Sequence, residues 1–134
     1  MKYLSLIIAV IVFSSASSCN KENLPQASSI IGKWRWVKSV GGIAGLTITP
    51  QTAGYTQTRE FKADSTVQIL KNDSLVTNAK FSIVKNYKYG DGKVNVLKIA
   101  DQQQTSFVIK NDTLFTNDIF ISDGFGSAYV KVKQ

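Results

Sequence analysis

The feature that most constrains the fold is an alternation of apolar and polar residues that begins at Ile30 and continues to the end of the chain. No window of helical length in this stretch places apolar residues at the three- and four-residue spacing of an amphipathic helix. A period of two puts successive side chains on opposite faces of an extended strand. The pattern predicts an all-β domain with little or no helix.

Turn-forming residues divide this stretch into about eight short strands. The predicted strands are 32–40, 56–62, 66–71, 75–84, 94–100, 105–110, 113–117 and 128–133. Most connections are short, which favours antiparallel hairpins between consecutive strands. Closing such a meander removes its exposed edges. We therefore predict an eight-stranded antiparallel up-and-down barrel over residues 30–134.

Two segments, 68–78 and 107–117, resemble each other and both place Asn-Asp between apolar alternating arms. Asn and Asp tolerate the left-handed backbone of a two-residue hairpin. We interpret the similarity as one turn used twice rather than as a duplicated binding site. Clustered carboxylates and the spacing of a calcium-binding loop are both missing, so no metal site is predicted.

The first residues have the layout of a secretory signal peptide, predicted over residues 1–18. A positive start, Met1-Lys2, precedes an apolar run and then small polar residues. The apolar run is about half the length of roughly 20 residues that a spanning helix requires. This segment is therefore expected to direct export rather than to anchor the protein.

Cys19 is the only cysteine, and it directly follows the small residues. Ala16-Ser17-Ser18-Cys19 resembles a relaxed bacterial lipobox, which implies lipidation of Cys19; the alternative is a free cysteine. Residues 19–29 are then the lipidated cysteine and a polar tether. We expect a lipoprotein of the cell envelope, held at the outer membrane by its lipid anchor. Whether it faces the periplasm or the cell exterior stays open.

Composition narrows the function classes. The chain has 134 residues, 43% of them hydrophobic and 19% charged, which suits one globular domain. Without histidine it lacks the commonest general base and metal ligand. No cofactor is predicted and we do not expect an enzyme. The formal charge of +7 comes from scattered lysines without a basic aromatic motif, so nucleic acid is not an expected partner.

Gly32-Lys33-Trp34 resembles the Gly-x-Trp motif on the first strand of lipocalins. More closely, the chain resembles small lipocalin-like lipoproteins of Bacteroidetes-type bacteria, a mostly uncharacterised group, over residues 31–37, 41–45, 58–61, 123–125 and 129–132. The resemblance implies that Gly32 and Trp34 close one end of the barrel. Arg59 would then lie over an indole such as Trp34, or else reach solvent at a strand end.

Residues 41–55 are too long for a hairpin, and loops of this length are usually functional or carry structure of their own. Over the open mouth of a barrel, Ile43, Leu46, Ile48 and Tyr55 would line the entrance. This placement predicts a binding site for a small apolar or amphipathic ligand. The alternative is a barrel filled by its own side chains, which binds an envelope protein or glycan on its outer surface.

Three turns carry Asp-Ser/Thr followed by Thr or Leu, at Ser65, Ser74 and Thr113. This pattern is similar to the O-glycosylation acceptor of related bacteria. Turn propensity explains the same residues equally well. Glycosylation of these three hydroxyls is a hypothesis that intact mass would test.

Overall fold

A computed structural model describes residues 29–133 of the chain. The predicted signal peptide, Cys19 and most of the tether lie outside the described residues. The elements are β1 (Gly32–Gly41), β2 (Leu46–Ile48), α1 (Pro50–Ala53), β3 (Gln57–Phe61), β4 (Thr66–Lys71), β5 (Ser74–Tyr89), β6 (Gly92–Ile99), β7 (Thr105–Lys110), β8 (Thr113–Asp118) and β9 (Phe125–Lys131). No helix in this part of the chain is long and apolar enough to cross a bilayer.

The strands form one antiparallel sheet that closes on itself. Its order is β2-β1-β3-β4-β5-β6-β7-β8-β9, and β1 also pairs with β9. β3 pairs with the first half of β1, and β2 pairs with the last three residues of the same edge. The predicted eight-stranded antiparallel barrel is confirmed, with β2 as an additional short strand.

The long strand β5 shows the stagger of a tilted barrel. Its first half pairs with β4 and its second half with β6. The predicted strand ended at residue 84, where Lys85 and Asn86 break the alternation. The structure absorbs this break as a β-bulge, in which Asn86 has φ of 54°, and the strand continues to Tyr89.

The inward faces of the strands follow the predicted alternation. Val67 with Ile69, Phe81 with Ile83 and Leu97 with Ile99 all contribute to one core cluster. On β8, Leu114 is fully buried whereas Phe115 is 39% exposed, as their opposite phase predicts. Burial of large apolar side chains at about 25 cal/mol per Å² is the main contribution that holds such a barrel closed.

The two Asn-Asp turns have the predicted geometry. The φ angles are 49° and 62° at Asn72 and Asp73, and 47° and 57° at Asn111 and Asp112. Left-handed φ at both central residues is the requirement of a type I′ hairpin. The repeated sequence therefore produces the same turn between β4 and β5 and between β7 and β8.

Candidate functional site

The segment 41–55 carries structure of its own and is not a plain loop. β2 folds back on β1 through the turn 42–45, and the short helix α1 follows. Thr49 caps α1 reciprocally with Thr52, Pro50 begins the helix, and Gly54 ends it with φ of 72°. These are the residue types that helix termini favour. The residues of α1, Pro50–Ala53, are thereby held in one compact helical turn at the mouth of the barrel.

The structure separates the four residues predicted to line the entrance into two pairs. Ile48 and Tyr55 are partly buried and pack against the core. Ile43 is 92% exposed and Leu46 is 57% exposed, because they lie on the hairpin that projects from the barrel. The segment thus presents Ile48 and Tyr55, together with Ala53, towards the barrel.

Tyr55 covers the second tryptophan. Its ring stacks on Trp36, with the ring centroids 5.6 Å apart and the planes at 20°. The Lys71 ammonium lies 4.0 Å from the centroid of the Tyr55 ring. A cation over an aromatic ring is a favourable arrangement. A stack of Trp36, Tyr55 and Lys71 therefore closes the mouth of the barrel, the end that segment 41–55 covers.

The end of the segment is tied to the β4–β5 turn. The Asn72 side-chain oxygen accepts a hydrogen bond from the Thr56 backbone N–H at 2.8 Å. In return, the Asn72 backbone N–H donates to the Thr56 carbonyl at 3.0 Å. These two bonds fix the position at which the segment enters β3, directly after Tyr55.

Arg59 places a cation inside the barrel. It follows the inward phase of Phe61 on β3, and its guanidinium carbon lies 4.8 Å from the centroid of the Tyr129 ring. Its Nε is buried and has no hydrogen-bond partner within residues 29–133. A buried donor without a partner is costly, and such groups need an explanation. The sequence analysis expected Arg59 to contact an indole such as Trp34 or to reach solvent. In the structure its guanidinium lies over the phenol ring of Tyr129 instead.

Tyr129 is the aromatic partner of this cation. It is 2% exposed, and its burial raises the pKa of the phenol above its ordinary value. The positive charge of Arg59 and a hydrogen bond with Ser127 act in the opposite direction. The phenol is therefore neutral at physiological pH, and a neutral phenol can donate a hydrogen bond to an anion.

Two serines extend the polar surface between β1 and β9. The Ser39 and Ser127 hydroxyl oxygens lie 2.7 Å apart, and the Trp36 indole N–H donates to Ser39 at 3.0 Å. A bulge in β1 between Trp36 and Lys38 brings Ser39 within reach of the indole. Sequence reasoning missed both serines: strict alternation gives no signal for the added residue in β1 that re-aims Ser39, and Ser127 precedes the strand predicted over 128–133.

The opposite end of the barrel contains Gly32 and Trp34, the residues that the resemblance to lipocalins implies close it. Trp34 is fully buried and its indole N–H donates to the Ile30 carbonyl at 2.7 Å. The Lys131 ammonium lies 5.4 Å from the centroid of the Trp34 ring. Gly32 has φ of 130°, a conformation that glycine adopts readily. These residues close the barrel at the end where the described chain begins.

A groove of about 470 Å³ crosses the outer wall over β7, β8, β9 and β1. Gly126 and Ala128 form its floor, and Val40, Val108 and Phe115 form its apolar sides. Lys38 and Lys110 flank it. The volume is that of a small-molecule site, although the groove faces away from the barrel interior.

The hydroxyls considered for glycosylation differ in accessibility. Ser65 and Ser74 are exposed, and Thr113 is partly buried.

No group of three or more Cys, His, Asp or Glu is suitably placed to hold a metal ion within residues 29–133. Comparison of the chain with protein-family models, with curated proteins and with solved structures found no match.

Proposed function

We propose that this protein is an envelope lipoprotein whose barrel binds a small amphipathic ligand, with an apolar body and an anionic end. Lipidation of Cys19 would hold it at the outer membrane, and this part of the proposal rests on the sequence alone. The observation that carries ligand binding is the buried Arg59 Nε, which lacks a partner within the described residues. A carboxylate or phosphate is the partner that a guanidinium accepts best.

The groups around Arg59 match such a ligand in chemistry, whereas the grooves described over residues 29–133 are lined by neither Arg59 nor Tyr129. The Tyr129 hydroxyl, Ser39 and Ser127 supply hydrogen-bonding groups. Trp36, Tyr55 and Ile48 supply the apolar and aromatic surface on the side of the mouth. Because Tyr55 lies on the segment that covers the mouth, entry of a ligand requires this segment to move. A few polar groups within an apolar lining are typical of small-molecule sites.

The test uses two probes that differ only in the head group, dodecanoate and 1-dodecanol, with the change in tryptophan fluorescence as the readout. The wild type is expected to bind dodecanoate about 10-fold more tightly, because a charge-assisted hydrogen bond contributes roughly 1.5–3 kcal/mol. Arg59→Met is expected to abolish this preference. Arg35→Met removes an arginine from the exposed face of β1 and should preserve it. Equal binding of both probes by the wild type would contradict the anionic end of the ligand.

Native mass spectrometry of the protein purified from its own envelope gives an independent test. A co-purified small molecule that is lost in Arg59→Met would support the proposal. If no small molecule is found and neither probe changes the fluorescence, the proposal that the barrel binds a ligand is wrong.

The second candidate is a non-enzymatic module that binds an envelope protein or glycan on its outer wall. The groove over Gly126 and Ala128 favours it, because the groove is concave, apolar and open to solvent. In a Cys19→Ser background, which removes the proposed lipid anchor, Ala128→Leu fills the groove and should reduce retention of the protein on isolated envelopes. Val37→Leu, on an exposed position outside the groove, is the matched control.

A further inference from the structure

Three aromatic rings form an exposed patch away from the barrel interior. Tyr87 and Tyr89 lie on the second half of β5, and Phe120 lies in the β8–β9 loop. The centroid of Phe120 is 6.1 Å from that of Tyr87 and 5.8 Å from that of Tyr89, both in edge-to-face geometry. The three residues are 38%, 43% and 57% exposed. We call them the aromatic patch.

The backbone holds Phe120 in this position at a cost. Phe120 has φ of 69°, which is unusual for a bulky residue. Burial does not account for this conformation, because more than half of the side chain is exposed. The preceding residue anchors the loop: Ile119 is 2% exposed, and its carbonyl accepts a hydrogen bond from the Gln103 side chain at 2.7 Å. A strained exposed ring on an anchored loop is a feature of functional surfaces.

The β5–β6 hairpin, which carries the two tyrosines, is basic. Its tip extends beyond the residues through which β6 pairs with β7. All residues from 84 to 93 are exposed, and β6 pairs with β7 only from Asn95 to Leu97. Lys85, Lys88 and Lys93 lie on this hairpin, against one acidic residue, Asp91. The hairpin therefore carries two exposed tyrosines and more lysines than carboxylates, whereas the loop with Phe120 adds the exposed Asp123.

We propose that the aromatic patch and its three lysines form a docking surface for the interface of an anionic lipid bilayer. Tyrosine and phenylalanine place an apolar ring at the level of the head groups, and the tyrosine hydroxyl stays hydrated. Lysines beside them are attracted to anionic lipid and can extend towards the head groups. The charge favours an anionic bilayer over a neutral glycan as the partner. This proposal does not depend on a ligand inside the barrel.

The test is co-sedimentation with vesicles of phosphatidylcholine, with or without one quarter phosphatidylglycerol. Every variant carries Cys19→Ser, so that a lipid anchor contributes to none of them. The parent protein is expected to bind the anionic vesicles and to bind neutral vesicles much more weakly. Lys88→Gln with Lys93→Gln should weaken anionic binding about 25-fold, since each lysine near an anionic surface contributes roughly fivefold. The control pair Lys38→Gln with Lys133→Gln makes the same charge change on β1 and just after β9, which β3 and β4 on one side and β7 and β8 on the other separate from β5 and β6, and should have less than about a twofold effect.

The aromatic contribution is tested by Tyr89→Ser and Phe120→Ser, with circular dichroism to confirm folding. Each should weaken anionic binding about fivefold, because an apolar ring no longer enters the interface. Tyr89 lies at the exposed hairpin end, so its variant remains informative if Phe120→Ser unfolds. Equal losses from the two lysine pairs, full binding by Tyr89→Ser, or release of the protein by a soluble neutral polysaccharide would each overturn the proposal.

Discussion

The guanidinium of Arg59 lies over the ring of Tyr129, 4.8 Å from its centroid, although the two residues are on strands separated by β1. Arg59 pairs in register with Trp34, and Tyr129 pairs with Trp36. The contact therefore runs diagonally across β1 in the barrel interior. It joins the cation that lacks a hydrogen-bond partner at Nε to a phenol whose pKa is raised by burial.

This phenol predicts a dependence of stability on alkaline pH. In the unfolded chain a tyrosine loses its proton near pH 10, whereas burial keeps Tyr129 protonated to higher pH. Above about pH 10 the unfolded state binds fewer protons than the folded state, so stability falls as the pH rises. Urea unfolding at pH 8 to 11 should show a steeper decline for the wild type than for Tyr129→Phe. Parallel curves for the two proteins would contradict a buried, titrating Tyr129.

The hydrogen bonds between Asn72 and Thr56 predict different effects for the two Asn-Asp turns. Asn72→Gly retains a residue that accepts left-handed φ but removes the bond to the Thr56 N–H, and should destabilise the protein by about 1 kcal/mol. Asn111→Gly is the matched control, because Asn111 has the same turn geometry and no side-chain hydrogen bond within the described residues. Urea unfolding gives the energies. Amide exchange at Thr56 should accelerate only in Asn72→Gly.

Trp34 is predicted to contribute most to closure of the barrel. Trp34→Ala removes a fully buried indole and its hydrogen bond to Ile30, and should cost about 3–5 kcal/mol. Ile43→Ala, at a position 92% exposed, should change stability by less than about 0.5 kcal/mol. Denaturant midpoints of the two variants test this contrast. A loss below 1 kcal/mol in Trp34→Ala would show that the barrel end closes without the indole.

The period-two pattern predicted the barrel and most inward residues, because one buried face fixes the register of each strand. It did not predict Ser39, because a bulge in β1 interrupts the alternation. It placed Trp34 beside Arg59 but missed Tyr129, since contacts across a barrel depend on how the sheet closes. The length of segment 41–55 indicated that it carries structure or function. The strand β2 was not predicted, because it forms only on the part of the β1 edge that β3 leaves unpaired.

The closing seam between β1 and β9 predicts unequal effects for two glycines that both lack positive φ. A Cβ on Gly41 would lie 2.7 Å from the Phe125 Cα and closer still to the Gly124 carbonyl oxygen, all backbone atoms that cannot rotate away. Gly41→Ala should therefore cost about 1–3 kcal/mol through overpacking. A Cβ on Gly92 would meet only the Tyr89 carbonyl oxygen at 3.9 Å, so Gly92→Ala should be neutral or stabilise by up to about 1 kcal/mol through the unfolded chain. Thermal unfolding of both variants measures the difference. Equal melting temperatures would mean that the seam yields at Gly41, and that β1 and β9 are held together mainly by the residues nearer Trp34.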